Sequence, residues 1–294
     1  MPEMKYSLKT SEELIKECLR DLYVNPRTAL RKWSEITNQT ASARFAYPSQ
    51  HLASLITGIK GKGTAARGDD LADGSEVKSC SRADQLSECR DCGSGVLIWE
   101  TKCSVCDSSK IKRKTDSHWI FSIKSEYELN LLLNKEKIPR IILMLFDNIE
   151  EGKEDIRLRA WVIDQSIPYV QDFFKNYFYE NYKKKENPAP CNLHPLKYDF
   201  YMMHPELIFH AEMNIENKDI KILFWDLKNQ KKELMPTLLL KSGQLREVFG
   251  EEINSFKSMR EFTEKVKEVP KDKMSFLKMK AKILKSYKEK YQRR

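Results

Sequence analysis

Two Cys-x2-Cys pairs, Cys89/Cys92 and Cys103/Cys106, stand with ten residues between them. No other pattern in the chain restricts its folding as tightly. Four thiols so spaced converge on one point only if each pair turns sharply and a hairpin joins the two. That is the sequence form of a tetrathiolate zinc ribbon, in which four thiolates close a tetrahedral ion and leave no position for water. The Zn²⁺ is therefore expected to be structural. Gly93-Ser94-Gly95 supplies a turn and Val96-Leu97-Ile98-Trp99 a returning strand, so the insert is expected over about 87–108. Two disulfides could use the same cysteines, but nothing in the sequence suggests an oxidising compartment. Cys18, Cys80 and Cys191 read as small buried residues.

Just upstream runs Arg67-Gly68-Asp69-Asp70-Leu71-Ala72-Asp73-Gly74-Ser75-Glu76-Val77-Lys78-Ser79. Asp-Gly is a hairpin signal because Gly accepts the positive φ of tight turns. Two short strands are expected around it, a hairpin over 67–80. Side chains alternate faces along a strand, so Glu76 and Lys78 share one face and Val77 points into the sheet. Asp69 or Asp70, from the first strand, can reach the same spot. Two carboxylates and an ammonium at a sheet edge can hold Mg²⁺ and activate water against a phosphodiester. Glu-x-Lys by itself is common and usually marks a solvated strand face. The catalytic reading draws its weight from the basic, Gly-rich lead-in, the cysteine set and the apolar strands that follow. The lead-in Gly58-Ile59-Lys60-Gly61-Lys62-Gly63-Thr64 is not a Walker A loop, because no Lys-Ser/Thr follows at the required place. It suits a basic loop touching DNA phosphates, or an exposed linker.

The rest of the chain supplies a core and a charge. Hydrophobic residues make up 40% of the 294 and charged residues 32%, enough for one large domain or two modest ones. The net charge of +9 favours a polyanionic partner. Most of it sits at the end, where 271–294 carries ten Lys/Arg against two Asp/Glu. The start lacks an apolar signal region, and the longest apolar run, 141–146, is far short of the roughly 20 residues of a membrane helix. A soluble, cytoplasmic protein is expected.

Periodicity predicts amphipathic helices over 11–24, after Pro26 through Leu30, Trp33 and Ile36, and over about 49–59. Strands are expected at 117–123, 139–146 and 156–163, with a short helix at 125–135. A mixed β-sheet flanked by helices follows, an α/β architecture with the zinc ribbon inserted. Residues 169–185 read as an aromatic-rich helix, 198–213 and 219–227 as strands joined near Asn217-Lys218, and the tail from about 256 as a basic helix. This divides the chain into a core over 1–165 and an α+β recognition and dimerisation region over 166–294. Cys191, His194, His204 and His210 match no metal-binding spacing and read as ordinary packed or exposed side chains.

The stretch 58–80 with the cysteine module behind it resembles type II restriction endonucleases of the PD-(D/E)xK superfamily, specifically the MamI-type enzymes. Gly61-Lys62-Gly63-Thr64-Ala65-Ala66-Arg67-Gly68-Asp69-Asp70-Leu71, Asp73-Gly74-Ser75-Glu76-Val77-Lys78-Ser79-Cys80 and the four cysteines carry it. It is close over about 50 residues; elsewhere only the order of elements matches. The resemblance implies that Glu76 is the motif's second acid and Lys78 its lysine. The first acid is Asp70, which precedes an apolar residue, or Asp69, which gives the longer turn. Gly68-Asp69-Asp70 stands where the motif has its Pro, and Asp73 belongs to the turn. The resemblance further implies Mg²⁺-dependent cleavage of double-stranded DNA by a homodimer at an interrupted palindrome of the GATNNNNATC type. Two other classes stay open: a non-catalytic zinc-ribbon nucleic-acid-binding protein, and a repair or junction nuclease of the same fold.

Overall fold

The computed structural model describes residues 7–37, 46–63, 69–83, 85–114, 116–149 and 153–226. The lysine-rich tail, the helix expected from about 256 and the lead-in residues 64–68 lie outside the described residues.

A five-stranded mixed sheet organises the chain, in the order β1 (Glu76–Ser81), β6 (Ile141–Asn148), β7 (Ile156–Ile163), β9 (Glu206–Met213) and β10 (Ile220–Trp225). β1 runs parallel to β6; the other pairs are antiparallel. The run 141–146 is apolar throughout because both faces of β6 are covered. On one face, Ile142, Met144 and Phe146 pack with Val77, Leu158, Ala160 and Phe209 under α1 (Glu12–Leu19) and α3 (Ala46–Thr57). On the other, Leu143 and Leu145 join Trp119, Phe121, Trp161, Phe174 and Phe200. That second layer comes from α4 (Glu126–Leu132), α5 (Pro168–Asn176), α6 (Tyr198–Met202) and a two-stranded sheet of β5 (Trp119–Phe121) and β8 (Cys191–Leu193). The aromatic helix expected at 169–185 is thus core material, with Phe174 and Phe178 buried. β9 and β10 lie beyond residue 165 yet complete the same sheet, so the core expected to end there extends to at least 225.

Several elements differ from expectation. The helices expected on either side of Pro26 form one rod, α1 passing through a π turn at Arg20–Val24 into α2 (Asn25–Thr37). Asn25 N–H reaches back five residues to Arg20 O, and this widening sits where the ring of Pro26 would otherwise meet the carbonyl four residues back. Along α2, Trp33 and Ile36 are exposed, whereas Arg27 and Ser34 are buried. Arg157 and Arg159 on β7 are also buried, both bonded to Asp147 on β6 at 2.8 Å. The segment 198–213 is not one strand: α6 ends before His204, whose φ of 48° and following Pro205 start β9. The ribbon is a three-stranded sheet of β2 (Ser87–Cys89), β3 (Gly95–Val96) and β4 (Ile111–Lys112). The returning strand is only two residues long, and the ribbon closes through β4, beyond the expected limit at 108. Cys191 is buried; Cys18 and Cys80 are partly so.

Candidate active site and cysteine centre

The turn expected at Asp73-Gly74 is present, but only one of the two expected strands is. Leu71 N–H donates to Ser75 O at 3.1 Å and Gly74 N–H to Leu71 O at 3.0 Å. β1 leaves on one side. On the other the chain makes a single bridge, Leu71 to Gly61, and Asp70 sits on a bend. Backbone bonds from Lys62 N–H to Asp70 O and from Ala72 N–H to Lys60 O tie this segment to the basic lead-in instead of to a partner strand. Asp73 holds the turn from within: it accepts from Ser75 N–H at 2.9 Å and from Arg140 at 2.7 Å. Gly74 has φ 95°, and a Cβ there would lie 2.3 Å from Lys137 O.

This turn separates the two adjacent acids. Asp69 is ion-paired with Lys62 near the surface. Asp70 is drawn inward: its Oδ2 accepts from Val77 N–H at 2.7 Å and its Oδ1 from the amide of Gln50 on α3. Burial, and then the nearby charge of Glu76, hold the Asp70 carboxyl above the usual range. The shift is the mark of two carboxylates sharing a partly desolvated place. Glu76 and Lys78 share a face of β1, as the alternation requires, with Nζ 2.5 Å from Oε1 and each side chain about a quarter exposed. Val77 between them is buried in the core. Lys78 Nζ also lies 6.0 Å from the centre of the Phe121 ring on β5. β1 is the edge of the sheet, and Glu76 and Lys78 remain partly exposed there. Two acids and a lysine so placed can bind a divalent cation through oxygen and donate to an anionic substrate. Gln50 was not legible in the sequence: a lone Gln on an amphipathic helix carries no signal.

The four clustered cysteines do converge. Their sulfurs all lie within 4.8 Å of one another, with Cys89–Cys106 and Cys92–Cys103 separations of 3.5 Å. The two knuckles repeat one geometry. Gly93 N–H donates to Cys89 O and Asp107 N–H to Cys103 O, each at 2.9 Å, with Gly93 and Asp107 at positive φ. A Zn–S bond of ~2.3 Å in a tetrahedron sets sulfurs ~3.8 Å apart, whereas a disulfide needs ~2.05 Å. The cluster fits the ion and not a pair of disulfides; none of the seven cysteines is disulfide-bonded. Among the described residues no other group of three or more such side chains gathers, so His194, His204 and His210 form no second centre. The ribbon leans on the core through Trp99, which lies beneath both Arg27 and Arg31 at 5.9 and 6.0 Å; Arg31 in turn pairs with Glu154 at 2.6 Å.

A mixed sheet with helices packed on both faces and an acid pair with a lysine on its edge strand fits the class of restriction endonucleases. The family model of the MamI restriction endonuclease matches residues 32–242, a span that takes in the acids, the lysine, the cysteine centre and all five strands of the main sheet. The chain belongs to the MamI restriction endonuclease family. It is 26% identical over 226 residues to the type II restriction enzyme MamI of Microbacterium ammoniaphilum, covering 72% of this chain. The match spans 66% of that relative, just under two thirds of its length. No solved structure matches the chain. Among the described residues no helix is long and apolar enough to cross a membrane.

Proposed function

We propose that the chain is a type II restriction endonuclease that hydrolyses phosphodiesters of double-stranded DNA. The observation that carries this is the Val77 N–H bond to Asp70, which brings the acid of the bend against Glu76 and Lys78 on the edge strand. Asp70 and Glu76 are the acids that would hold Mg²⁺; Asp69, engaged by Lys62, is not needed. Such an ion would polarise the scissile phosphate and lower the pKa of a water beside it. Lys78 donates from Nζ to the attacking water and to the charge that grows on the phosphate. Phe121 covers one side of Lys78 and limits water around it. Water adds to phosphorus, the 3′-oxygen leaves with a proton, and the ends are 5′-phosphate and 3′-hydroxyl. The cysteine centre holds one structural Zn²⁺ and shapes the ribbon that packs on α2.

One such trio per chain cuts one strand, so double-strand cleavage takes a two-fold homodimer on a palindromic site. An interrupted palindrome of the GATNNNNATC type, which the resemblance to the MamI-type enzymes implies, is the specificity to test first. The positive net charge of +9 supplies backbone attraction. The test is digestion of phage DNA with Mg²⁺. Discrete, sequence-dependent fragments, abolished in Glu76→Ala and Lys78→Ala while DNA binding in Ca²⁺ persists, are expected. Binding without any cleavage would mark a non-catalytic zinc-ribbon protein, and structure-dependent nicking a repair nuclease.

A further inference from the structure

Gln50 stands outside the motif that carries the acids, yet it touches one of them. It lies on α3, whose position is fixed by buried Ser49, Leu52, Ala53 and Ile56. Trp225 Nε1–H caps the same helix at Ile56 O, so the helix is tied to the far end of the sheet as well. From this rigid base the Gln50 amide donates to Oδ1 of Asp70, while Val77 N–H holds Oδ2. The carboxylate is thus clamped between a helix and a strand. An ionised carboxylate has about four lone-pair sites. Two are taken by these donors, and each oxygen keeps one for a cation. Without Gln50 only Oδ2 is held, and an Asp on a bend regains rotation of its side chain. The amide also does this without adding a third negative charge beside Asp70 and Glu76.

We propose, resting on the reading of Asp70 and Glu76 as the Mg²⁺-binding acids, that Gln50 is a positioning residue that presets the Asp70 carboxylate for the ion. Its removal acts through occupancy of the metal site and leaves the chemical step intact. Gln50→Met keeps the length of the side chain and removes the donor. The Mg²⁺ concentration for half-maximal DNA cleavage should rise about ten-fold, the worth of one hydrogen bond to a charged group. The rate at saturating Mg²⁺ should stay within about two-fold of wild type. A merely structural role would lower the maximal rate and the unfolding temperature and leave the half-saturating Mg²⁺ unchanged; that result overturns the proposal. A second measurement uses no catalysis. Mn²⁺ binding to the zinc-loaded protein, read by electron paramagnetic resonance, should weaken in Gln50→Met and weaken no further when the change is added to Asp70→Asn. Additive weakening would also overturn it. The two readings fail separately: a wild-type protein that cleaves no DNA removes the assignment of the acids, while a cleaving wild type with an unaltered Mg²⁺ requirement in Gln50→Met removes Gln50 alone.

Discussion

Gly74→Ala should cripple the proposed active site without touching any residue that carries the chemistry. Gly74 lies between Asp70 and Glu76 and has φ 95°. An L side chain in the left-handed region costs about 1–2 kcal/mol. The added Cβ would also sit 2.3 Å from Lys137 O and 3.4 Å from Pro139 Cδ. The first of these is backbone and cannot swing aside, so the turn and the 137–140 segment must part by about 1 Å to restore an ordinary separation. That segment is bonded to the site: Glu76 N–H donates to Arg140 O at 3.0 Å, and Arg140 binds Asp73 at 2.7 Å. Strain and displacement together should destabilise by about 2–4 kcal/mol, or roughly 5–10 °C in midpoint for a chain this long. A 1 Å misplacement of a catalytic group costs about a hundred-fold in rate, so cleavage should fall by that order in protein that is still folded. The assay is thermal unfolding followed by initial rates of DNA cleavage well below the variant's midpoint. Gly74→Asn separates the causes, since Asn tolerates positive φ but brings the same Cβ; it should be nearly as severe. An unaltered midpoint with more than half the wild-type rate in Gly74→Ala would refute the reasoning.

Asp70→Ala should abolish cleavage as fully as Glu76→Ala, while Asp69→Ala, which removes the ion pair with Lys62 near the surface, should keep activity within about ten-fold of wild type; plasmid digestion decides. Burial pushes the thiols of Cys18, Cys80 and Cys191 up to about 11, 12 and 12. They should therefore resist iodoacetamide at pH 8 while chelation of the zinc makes four others reactive, Cys92 and Cys106 first because they are exposed; mass spectrometry counts the labels. His210 is buried against Arg159 and Arg157, and burial first, then these cations, push its pKa down to about 3 despite Glu212 4.0 Å away. Unfolding then takes up a proton between about pH 6.5 and 3, so stability rises with pH across that window, and pH 5 should cost about 2 kcal/mol relative to neutrality; His210→Gln should flatten that slope in urea unfolding followed from pH 7 to 5. Truncation after Pro270 removes most of the net positive charge and should weaken binding to all DNA sequences, lowering the slope of log K against log salt by roughly 0.9 for each phosphate that the tail no longer neutralises; an unchanged slope would mean that the tail does not touch the backbone.

What could be read from the sequence, and what could not, divides by the range of the deciding interaction. β6 was legible to within two residues at either end because a run buried on both faces leaves its mark locally, and β7 to the residue because its apolar positions alternate. The cysteine centre was legible for the same reason: a knuckle is closed within five residues, as the bonds from Gly93 to Cys89 and from Asp107 to Cys103 show. Buried Arg157 and Arg159 were not, since alternation counts them as solvent-facing and their partner Asp147 belongs to the neighbouring strand. The split of 198–213 also escaped pattern, because Tyr, Phe and Met suit helix and strand alike and only His204-Pro205 marks the break. The two acids of the bend are the sharpest instance. Asp69 and Asp70 carry the same side chain and are adjacent; the longer turn favours the first, and the apolar residue that follows favours the second. What separates them is a pairing of 60–62 with 70–72 that leaves Asp69 to Lys62 at the surface and delivers Asp70 to Val77 N–H and Gln50. On the proposed reading of Asp70 as the first acid, the choice is made by the lead-in segment and α3, neither of which contains an acid or lysine of the motif.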